Sequence, residues 1–347
     1  MNKNPKVDLF LSPKELSEAV GVTVQGLHKI CKENKVATQE QGSRQHKIYP
    51  AEVERILQLR GIKKIKKKIA VHSLKGGVGK TTIVHALASR ASQYGFRVLM
   101  IDLDKQSNLT NTFGLRDTDY HTFLDIYEDY KQGNLTVKDS IVKITDYLHI
   151  IPATLKLTNL DLILQKNIEK YDTLFDKILS PIKNFYDLII FDLSPDIDRV
   201  TICAHCFSDL AIIPVNMDRM SIDGVELTYD HLDYIGKSLD HKIKNRLILI
   251  NKFDQRHSLA FDLTSYLSNK YGSDLCKKVI PVSKQIDNLL AHDTCIWKEK
   301  ISSCAALVGF QDVLESLLNI NEWKNSKSKT DLARKSHPSK LRGEINV

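Results

Sequence analysis

An eight-residue segment of the sequence has the residue types and the spacing that bind phosphate. It reads Lys-Gly-Gly-Val-Gly-Lys-Thr-Thr and follows a β-branched run that ends at Ser73. Glycines let the backbone curl so that successive amide groups point at phosphate oxygens, and the start of the following helix adds partial positive charge. The segment predicts a nucleotide site in which Lys80 reaches the β- and γ-phosphates and the Thr81 hydroxyl binds Mg²⁺. The predicted phosphate contacts are Gly76, Gly77, Val78, Gly79, Lys80, Thr81 and Thr82.

Two sets of carboxylates follow apolar runs further along the chain. Asp102 and Asp104 follow the run that starts at Arg97, and Asp192 ends the run that starts at Leu188. Because Mg²⁺ takes hard oxygen ligands, commonly one or two carboxylates with bound waters, both sets fit a metal site beside the phosphate loop.

The elements that must position these residues alternate along the chain. From Ile69 onward, short β-branched runs alternate with amphipathic stretches, which is typical of a parallel sheet covered by helices. We therefore expect an α/β fold of the P-loop NTPase type, with a mostly parallel sheet flanked by helices. The predicted strands are 69–73, 97–102, 148–151, 188–192, 210–215, 247–251 and 278–280, and the predicted helices are 80–94, 159–179, 221–238, 259–269 and 305–320.

The phosphate loop departs from the common pattern G-x-x-x-x-G-K-[ST], since Leu74 occupies its first position and Lys75 is an additional lysine. In this respect it resembles the deviant Walker A ATPases, a family that includes ParA, MinD and the nitrogenase iron protein. The resemblance covers about residues 68–320. It implies that Lys75 crosses the interface of a sandwich homodimer to touch the partner's nucleotide, so that ATP binding drives dimerisation.

The same resemblance implies roles for the carboxylates. Asp104 orients or activates the attacking water, Asp102 helps to hold the metal shell, and Asp192 is an indirect partner of Mg²⁺. Lys105 and Ser194 stand where the family frequently has proline. We expect an Mg²⁺-dependent ATPase that hydrolyses ATP slowly.

Two further segments match the family where it contacts the base. Asn251 ends a predicted strand and is the candidate adenine contact, and Pro281 closes the other side of the base. For nonspecific DNA binding, Arg256 matches one basic position of the family, and Lys284 lies beside a second position that is Gln285 here.

The amino-terminal region has helix-turn-helix spacing. Ser12 to Val20 reads as a capped helix with proline near its first turn, and Gly21 makes the turn into a second helix. A hairpin around Gly42 and a closing helix complete a pattern that resembles a MerR-like winged helix-turn-helix. A small helical protein-binding domain remains an alternative interpretation. The predicted DNA contacts are Gln25, His28, Lys29 and Lys32 on the second helix, and Arg44 and Lys47 at the hairpin tip.

Charge is distributed unevenly along the chain. Residues 1–68 carry a net charge of +8, residues 69–320 carry −4, and residues 321–347 carry +4. Basic ends favour an anionic polymer as partner. We predict a DNA-binding domain over 1–61, a basic linker over 62–68, an ATPase domain over 69–320 and a flexible basic tail over 321–347.

Several functional classes are disfavoured by composition. No apolar run reaches the length of a membrane span, the tail lacks the apolar face of a membrane-surface helix, and no signal peptide is evident. We expect a cytoplasmic, nucleoid-associated protein with no membrane partner. The six cysteines are too few for a disulfide scaffold, and the pair Cys203 and Cys206 on a predicted helix has no second pair with which to form a metal site.

The helix-turn-helix pattern followed by a deviant Walker A domain resembles the longer ParA proteins of plasmid partition systems. The resemblance implies a DNA-segregation ATPase that binds DNA nonspecifically as an ATP dimer, that is released by hydrolysis stimulated by a ParB-type centromere-binding protein, and that binds its own operator. The alternative is a transcription regulator whose ATPase domain is a nucleotide-sensing dimerisation switch. A third hypothesis, an electron-transfer ATPase, predicts an iron-containing protein.

Overall fold

The amino-terminal region forms three helices and a two-stranded hairpin in a computed structural model, which describes residues 7–41, 45–116, 119–134, 136–166, 170–239, 245–256, 258–298 and 301–325. The first helix begins with a capping box in which the Ser12 amide donates to the Glu15 carboxylate at 2.8 Å and the Glu15 amide donates to the Ser12 hydroxyl at 3.2 Å. The elements are α1 (Pro13–Val20), α2 (Val24–Glu33), β1 (Gln39–Gln41), β2 (Gln45–Lys47) and α3 (Pro50–Leu59).

A seven-stranded sheet forms the centre of the remaining chain. Its strands are β3 (Lys67–Val71), β4 (Val98–Asp102), β5 (Val142–Lys143), β6 (Leu148–Ile151), β7 (Leu188–Asp192), β8 (Leu210–Val215) and β9 (Arg246–Ile250). The order across the sheet is β5-β6-β4-β7-β3-β8-β9, and every pairing except β5 with β6 is parallel. Strands β4, β6, β7 and β8 are buried along their whole length, as continuous apolar runs predict for strands covered on both faces.

Helices cover both faces of this sheet. They are α4 (Lys80–Gln93), α5 (Asn108–Thr112), α6 (Phe123–Lys131), α7 (Thr158–Lys166), α8 (Tyr171–Ile178), α9 (Arg199–Phe207), α10 (Arg219–Ser238), α11 (Ala260–Tyr271), α12 (Lys284–Ala291) and α13 (Ala305–Leu317). Alternate residues of the strands pack into clusters on opposite faces, one with α4 and α13 and the others with α6 to α9 and with α10 and α11, which confirms the predicted α/β class.

Two predicted elements differ in the structure. The segment 278–280 is not a strand, because its contacts along and beyond β9 are isolated: the Ile280 amide donates to the Ile250 carbonyl at 2.9 Å, and Pro281 makes a single bridge to Phe253. The helix predicted over 159–179 is two helices, α7 and α8.

The segment expected to be a basic linker is part of the folded structure. Ile62 is buried, and Lys64 lies 2.8 Å from Glu54 and 2.7 Å from Asp187. Strand β3 begins at Lys67. Lys64 therefore stabilises the junction through two ion pairs.

The segment expected to be a flexible tail is also partly ordered. A 3₁₀ turn over Ile320–Asn325 buries Trp323, whose ring stacks on Phe96 with a centroid distance of 6.0 Å. A Cβ atom on Gly21 would lie 2.7 Å from the Lys324 Cα atom, so this turn packs directly against the end of α1. Residues 326–347 lie outside the described part of the chain.

A buried arginine ties the amino-terminal unit to the sheet domain. Arg90 in the last turn of α4 is 2% exposed and donates to Glu15 at 2.7 Å, to Gln93 at 2.7 Å and to Gln311 at 2.6 Å. These bonds join α1, α4 and α13. The apolar residues of both units form one continuous cluster, which packs the amino-terminal unit at the edge of the sheet where β4 and β7 begin.

Candidate nucleotide-binding site

The glycine-rich loop connects β3 to α4 at the carboxyl edge of the sheet. Gly77 and Gly79 adopt positive φ angles of 76° and 90°, which non-glycine residues rarely adopt. A Cβ atom on Gly79 would lie 2.2 Å from the Asn251 Nδ2 atom, whereas nothing lies within 4 Å of one on Gly76 or Gly77. The loop thus exposes backbone at the amino end of a 14-residue helix, where amide groups and the helix dipole attract anions.

Lys80, the first residue of α4, is buried against this loop. Its ammonium group is 3.3 Å from the Ser73 carbonyl oxygen. Burial lowers the pKa of Lys80, and the nearby carboxylates of Asp192, Asp104 and Asp196 oppose that shift. The structure therefore brings the predicted lysine and three acidic residues to one place.

Asp192 and Thr81 form the part of the site that suits a metal ion. The Thr81 hydroxyl donates to Asp192 Oδ2 at 2.7 Å, and the buried Oδ1 atom has no hydrogen-bond partner among the described residues. Burial raises the pKa of Asp192 well above its ordinary value, and the neighbouring Asp102 adds to this rise. An unpartnered buried oxygen beside a hydroxyl is a donor set that fits Mg²⁺ with bound waters.

Asp102 is engaged by the protein itself. One oxygen accepts the Thr110 amide at 2.9 Å and the Thr110 hydroxyl at 2.7 Å, and the other accepts the Asp104 amide at 3.1 Å. Burial raises its pKa to about 7. These bonds anchor α5 to the end of β4, and the place of Asp102 in a metal shell stays a prediction.

Asp104 lies in a tight turn directly after β4. Its Oδ1 atom accepts the Gln106 amide at 2.9 Å, and its carbonyl accepts the Ser107 amide at 2.8 Å. Ser107 adopts a left-handed conformation with φ at 56°. The turn points a nearly buried carboxylate toward the cluster around Lys80.

Lys75 packs against the start of α10. Its ammonium group is 3.9 Å from the Met220 sulfur, and its Cβ atom lies 2.9 Å from the place of a Cβ atom on Gly224. Glycine at that position is therefore what lets the lysine approach the helix. The predicted reach of Lys75 into a partner subunit stays a prediction.

Asn251 braces the phosphate loop. It is buried, and its amide group donates to the Val78 carbonyl at 2.8 Å. Sequence reasoning missed this contact, which joins residues 173 positions apart, as it missed the bond from the Leu74 amide to the Thr228 hydroxyl at 3.2 Å.

Asn251 also lines a narrow cleft, where the predicted base contacts meet. The lining residues include Thr82, Asn251, Ile280, Pro281 and Phe310.

The residues predicted to contact DNA fall into different settings. Gln25, His28, Lys29 and Lys32 are all exposed along α2. Arg256 is exposed and pairs with Asp254 at 2.7 Å, and Lys284 is exposed at the start of α12.

The prediction for Lys47 requires correction. Lys47 is the last residue of β2 and lies at the base of the hairpin instead of at its tip. There it is buried, pairs with Asp8 and lies over the Phe10 ring. The other predicted tip residue, Arg44, lies outside the described residues.

The paired cysteines are core residues. Cys203 and Cys206 are both buried, and burial raises the pKa of each thiol, which disfavours the thiolate that binds metal. In the described ranges no group of three or more metal-ligating side chains occurs. Over the same ranges, no helix is long and apolar enough to cross a bilayer.

The chain matches known proteins over the sheet domain. One family model, described as an AAA domain, matches residues 66–245. The sporulation initiation inhibitor protein Soj of Bacillus subtilis is 29% identical over 227 residues, which are 65% of this chain and 88% of Soj. The chromosome partitioning protein ParA of Caulobacter vibrioides is 26% identical over 216 residues, which are 61% of this chain and 79% of ParA.

A solved structure of McdA from Cyanothece in complex with ATP has a similar fold. Its TM-score is 0.64 at 20% sequence identity, and the match covers 74% of this chain and 97% of McdA. The sheet order, the helices on both faces and the loop between β3 and α4 define a P-loop NTPase. The chain belongs to the AAA domain family, and its similarity to Soj and ParA is to the ParA-like proteins within that class.

Proposed function

We propose that this protein is a ParA-like partition ATPase that uses Mg²⁺ and ATP to control its binding to DNA. The observation that carries the proposal is the convergence of Lys80, Thr81, Asp192 and Asp104 beside an anion-binding loop. The similarity to a chromosome partitioning protein and to Soj supports the partition role.

The chain's own residues supply binding and positioning. The loop amides and Lys80 hold the phosphates of ATP, and Thr81 and Asp192 hold Mg²⁺. When bound, the ion neutralises charge on the phosphate oxygens. Asp104 orients the attacking water, and Asn251 and Pro281 flank the base. Because little covalent chemistry is required, positioning by these residues accounts for catalysis.

Lys75 reaches the nucleotide of a second copy, so that ATP closes a homodimer. The exposed face of α2 binds operator DNA, and Arg256 and Lys284 contribute to nonspecific binding. Hydrolysis stimulated by a ParB-type protein releases the protein from DNA, so that it is nucleoid-associated as the ATP-bound dimer and free in the cytoplasm after release.

The Asp104→Ala variant tests the catalytic assignment. We expect it to bind ATP normally, to accumulate as an ATP-bound dimer and to lose hydrolysis, because water is no longer oriented. Light scattering with ATP and a phosphate-release assay measure both properties, with the Asp176→Ala variant as a control at an exposed site. Undiminished hydrolysis by Asp104→Ala would contradict the role.

A transcription regulator is the second candidate, and the shared core of the two units favours it. A binding and turnover experiment separates the candidates. If DNA and a ParB-type protein together leave hydrolysis unchanged while operator binding depends on nucleotide, the regulator is correct. Stimulated hydrolysis supports the partition ATPase.

A further inference from the structure

Two loops border the candidate site at the ends of β4 and β7, which are neighbours in the sheet. One loop carries Asp104 and Lys105, and the other carries Asp196. The backbones remain paired for one residue beyond β4, since the Leu103 amide donates to the Asp192 carbonyl at 2.9 Å. Beyond that point a side-chain contact joins them: the Lys105 ammonium group lies 2.9 Å from the Asp196 carboxylate.

The position of Lys105 within its loop gives this contact a consequence. Lys105 directly follows Asp104 in the turn that the Gln106 and Ser107 amides close, so its Cα atom is about 3.8 Å from that of Asp104. A restraint on Lys105 therefore restricts the turn that orients the Asp104 carboxylate.

Asp196 faces the site as well. It is one of the carboxylates that oppose the lowered pKa of Lys80. The side chains of Lys105 and Asp196 are 45% and 44% exposed, so the pair is accessible to solvent and should be weakened by salt.

We propose that Lys105 and Asp196 form a positioning pair, which joins the two loops and holds the Asp104 turn in the conformation that hydrolysis needs. This inference rests on the proposed ATPase function. Neither residue is a catalytic residue, because each acts through the turn.

Amide hydrogen exchange of the nucleotide-free protein tests the pair directly. In Lys105→Met and in Asp196→Asn, we expect the Gln106 and Ser107 amides to exchange about two- to fivefold faster, as loss of an exposed ion pair permits. The double variant should exchange no faster than either single variant. Lys183→Met, which removes an exposed pair with Asp176 ahead of β7, is the matched control. Unchanged exchange, or effects that add in the double variant, would overturn the proposal.

Steady-state hydrolysis provides the second measurement. We expect Lys105→Met to lower kcat about two- to fivefold without changing KM for ATP, and Lys105→Arg to restore kcat. The difference in kcat between Lys105→Met and the wild type should disappear near 1 M salt, where the Debye length is about 3 Å. A kcat that is unchanged or raised overturns the proposal. If the wild type itself does not hydrolyse ATP, the proposed function fails, whereas the exchange measurement still decides whether the pair holds the turn.

Discussion

At the scale of single residues, a buried ammonium group surrounded by carboxylates is the defining feature of the site. Lys80 is 7% exposed, and the carboxylates around it compensate its charge. Asp192 does so without a direct ion pair, because it accepts a hydrogen bond from Thr81 instead. A site with both charges and an unpartnered oxygen is prepared for a ligand that carries negative charge together with a cation.

The Lys80→Ala variant should abolish nucleotide binding. Removing a buried charge that contacts phosphate costs several kcal/mol, so ATP affinity should fall by about 100-fold or more. Calorimetric titration with ATP and Mg²⁺ measures the loss, and Lys183→Ala serves as a control with a partly exposed lysine. Retained affinity would contradict the assignment of the loop.

At the scale of elements, the phosphate loop depends on one glycine for two reasons. Gly79 has a φ angle of 90°, and a Cβ atom there would meet the Asn251 side chain. We expect Gly79→Ala to destabilise the nucleotide-free protein by about 1–3 kcal/mol. Gly76→Ala is the matched control, because its Cβ atom would meet nothing within 4 Å. Urea unfolding measures both variants, and equal stabilities would show that neither the φ angle nor the Asn251 contact restricts position 79.

The ion pair between α1 and α4 should be important for stability. Arg90→Met removes one donor from each of Glu15, Gln93 and Gln311, so the free energy of unfolding should fall by about 3–5 kcal/mol. Lys278→Met is the control. It removes an exposed pair with Asp312, which lies in α13 beside Gln311, and should change the free energy of unfolding by less than about 0.5 kcal/mol. If Arg90→Met lowers the free energy of unfolding no more than the control does, the Arg90 bonds between α1, α4 and α13 do not stabilise the protein.

The sequence predicted those elements that have a local signature. Strand β7 was predicted at its observed bounds because burial on both faces leaves a continuous apolar run. The segment 278–280 begins with a lysine and is too short for such a run, and only isolated bridges occur beside it, because pairing depends on residues far away in the chain. For the same reason the phosphate loop was recognisable, whereas the brace from Asn251 to Val78 was not.

At the scale of the whole molecule, the nucleotide site and the amino-terminal unit occupy opposite edges of one sheet. The loop follows β3, whereas Glu54 of α3 pairs with Lys64 and Arg97, ahead of β3 and β4. Helix α4 runs from Lys80 at the first edge to Arg90 at the second. This helix therefore spans from the nucleotide site to the contacts with α1.

The exposed basic residues of α2 should contribute to the salt dependence of DNA binding. Each phosphate contact adds about 0.9 to the slope of log affinity against log salt, so replacing both Lys29 and Lys32 with alanine should lower the slope by about 2. Fluorescence anisotropy with duplex DNA at several salt concentrations measures it. Lys14→Ala, at an exposed site on α1, is the control, and an unchanged slope in the double variant would place the DNA elsewhere.

The turn over Ile320–Asn325 has a consequence for synthesis. Helix α1 is synthesised about 300 residues before Trp323 and Lys324, whose ring and backbone complete the surroundings of Phe96 and of the end of α1. The amino-terminal unit therefore gains these contacts only after the sheet domain has been translated, since they join residues about 300 positions apart. A nascent chain that stalls before Ile320 would leave these apolar surfaces to chaperones.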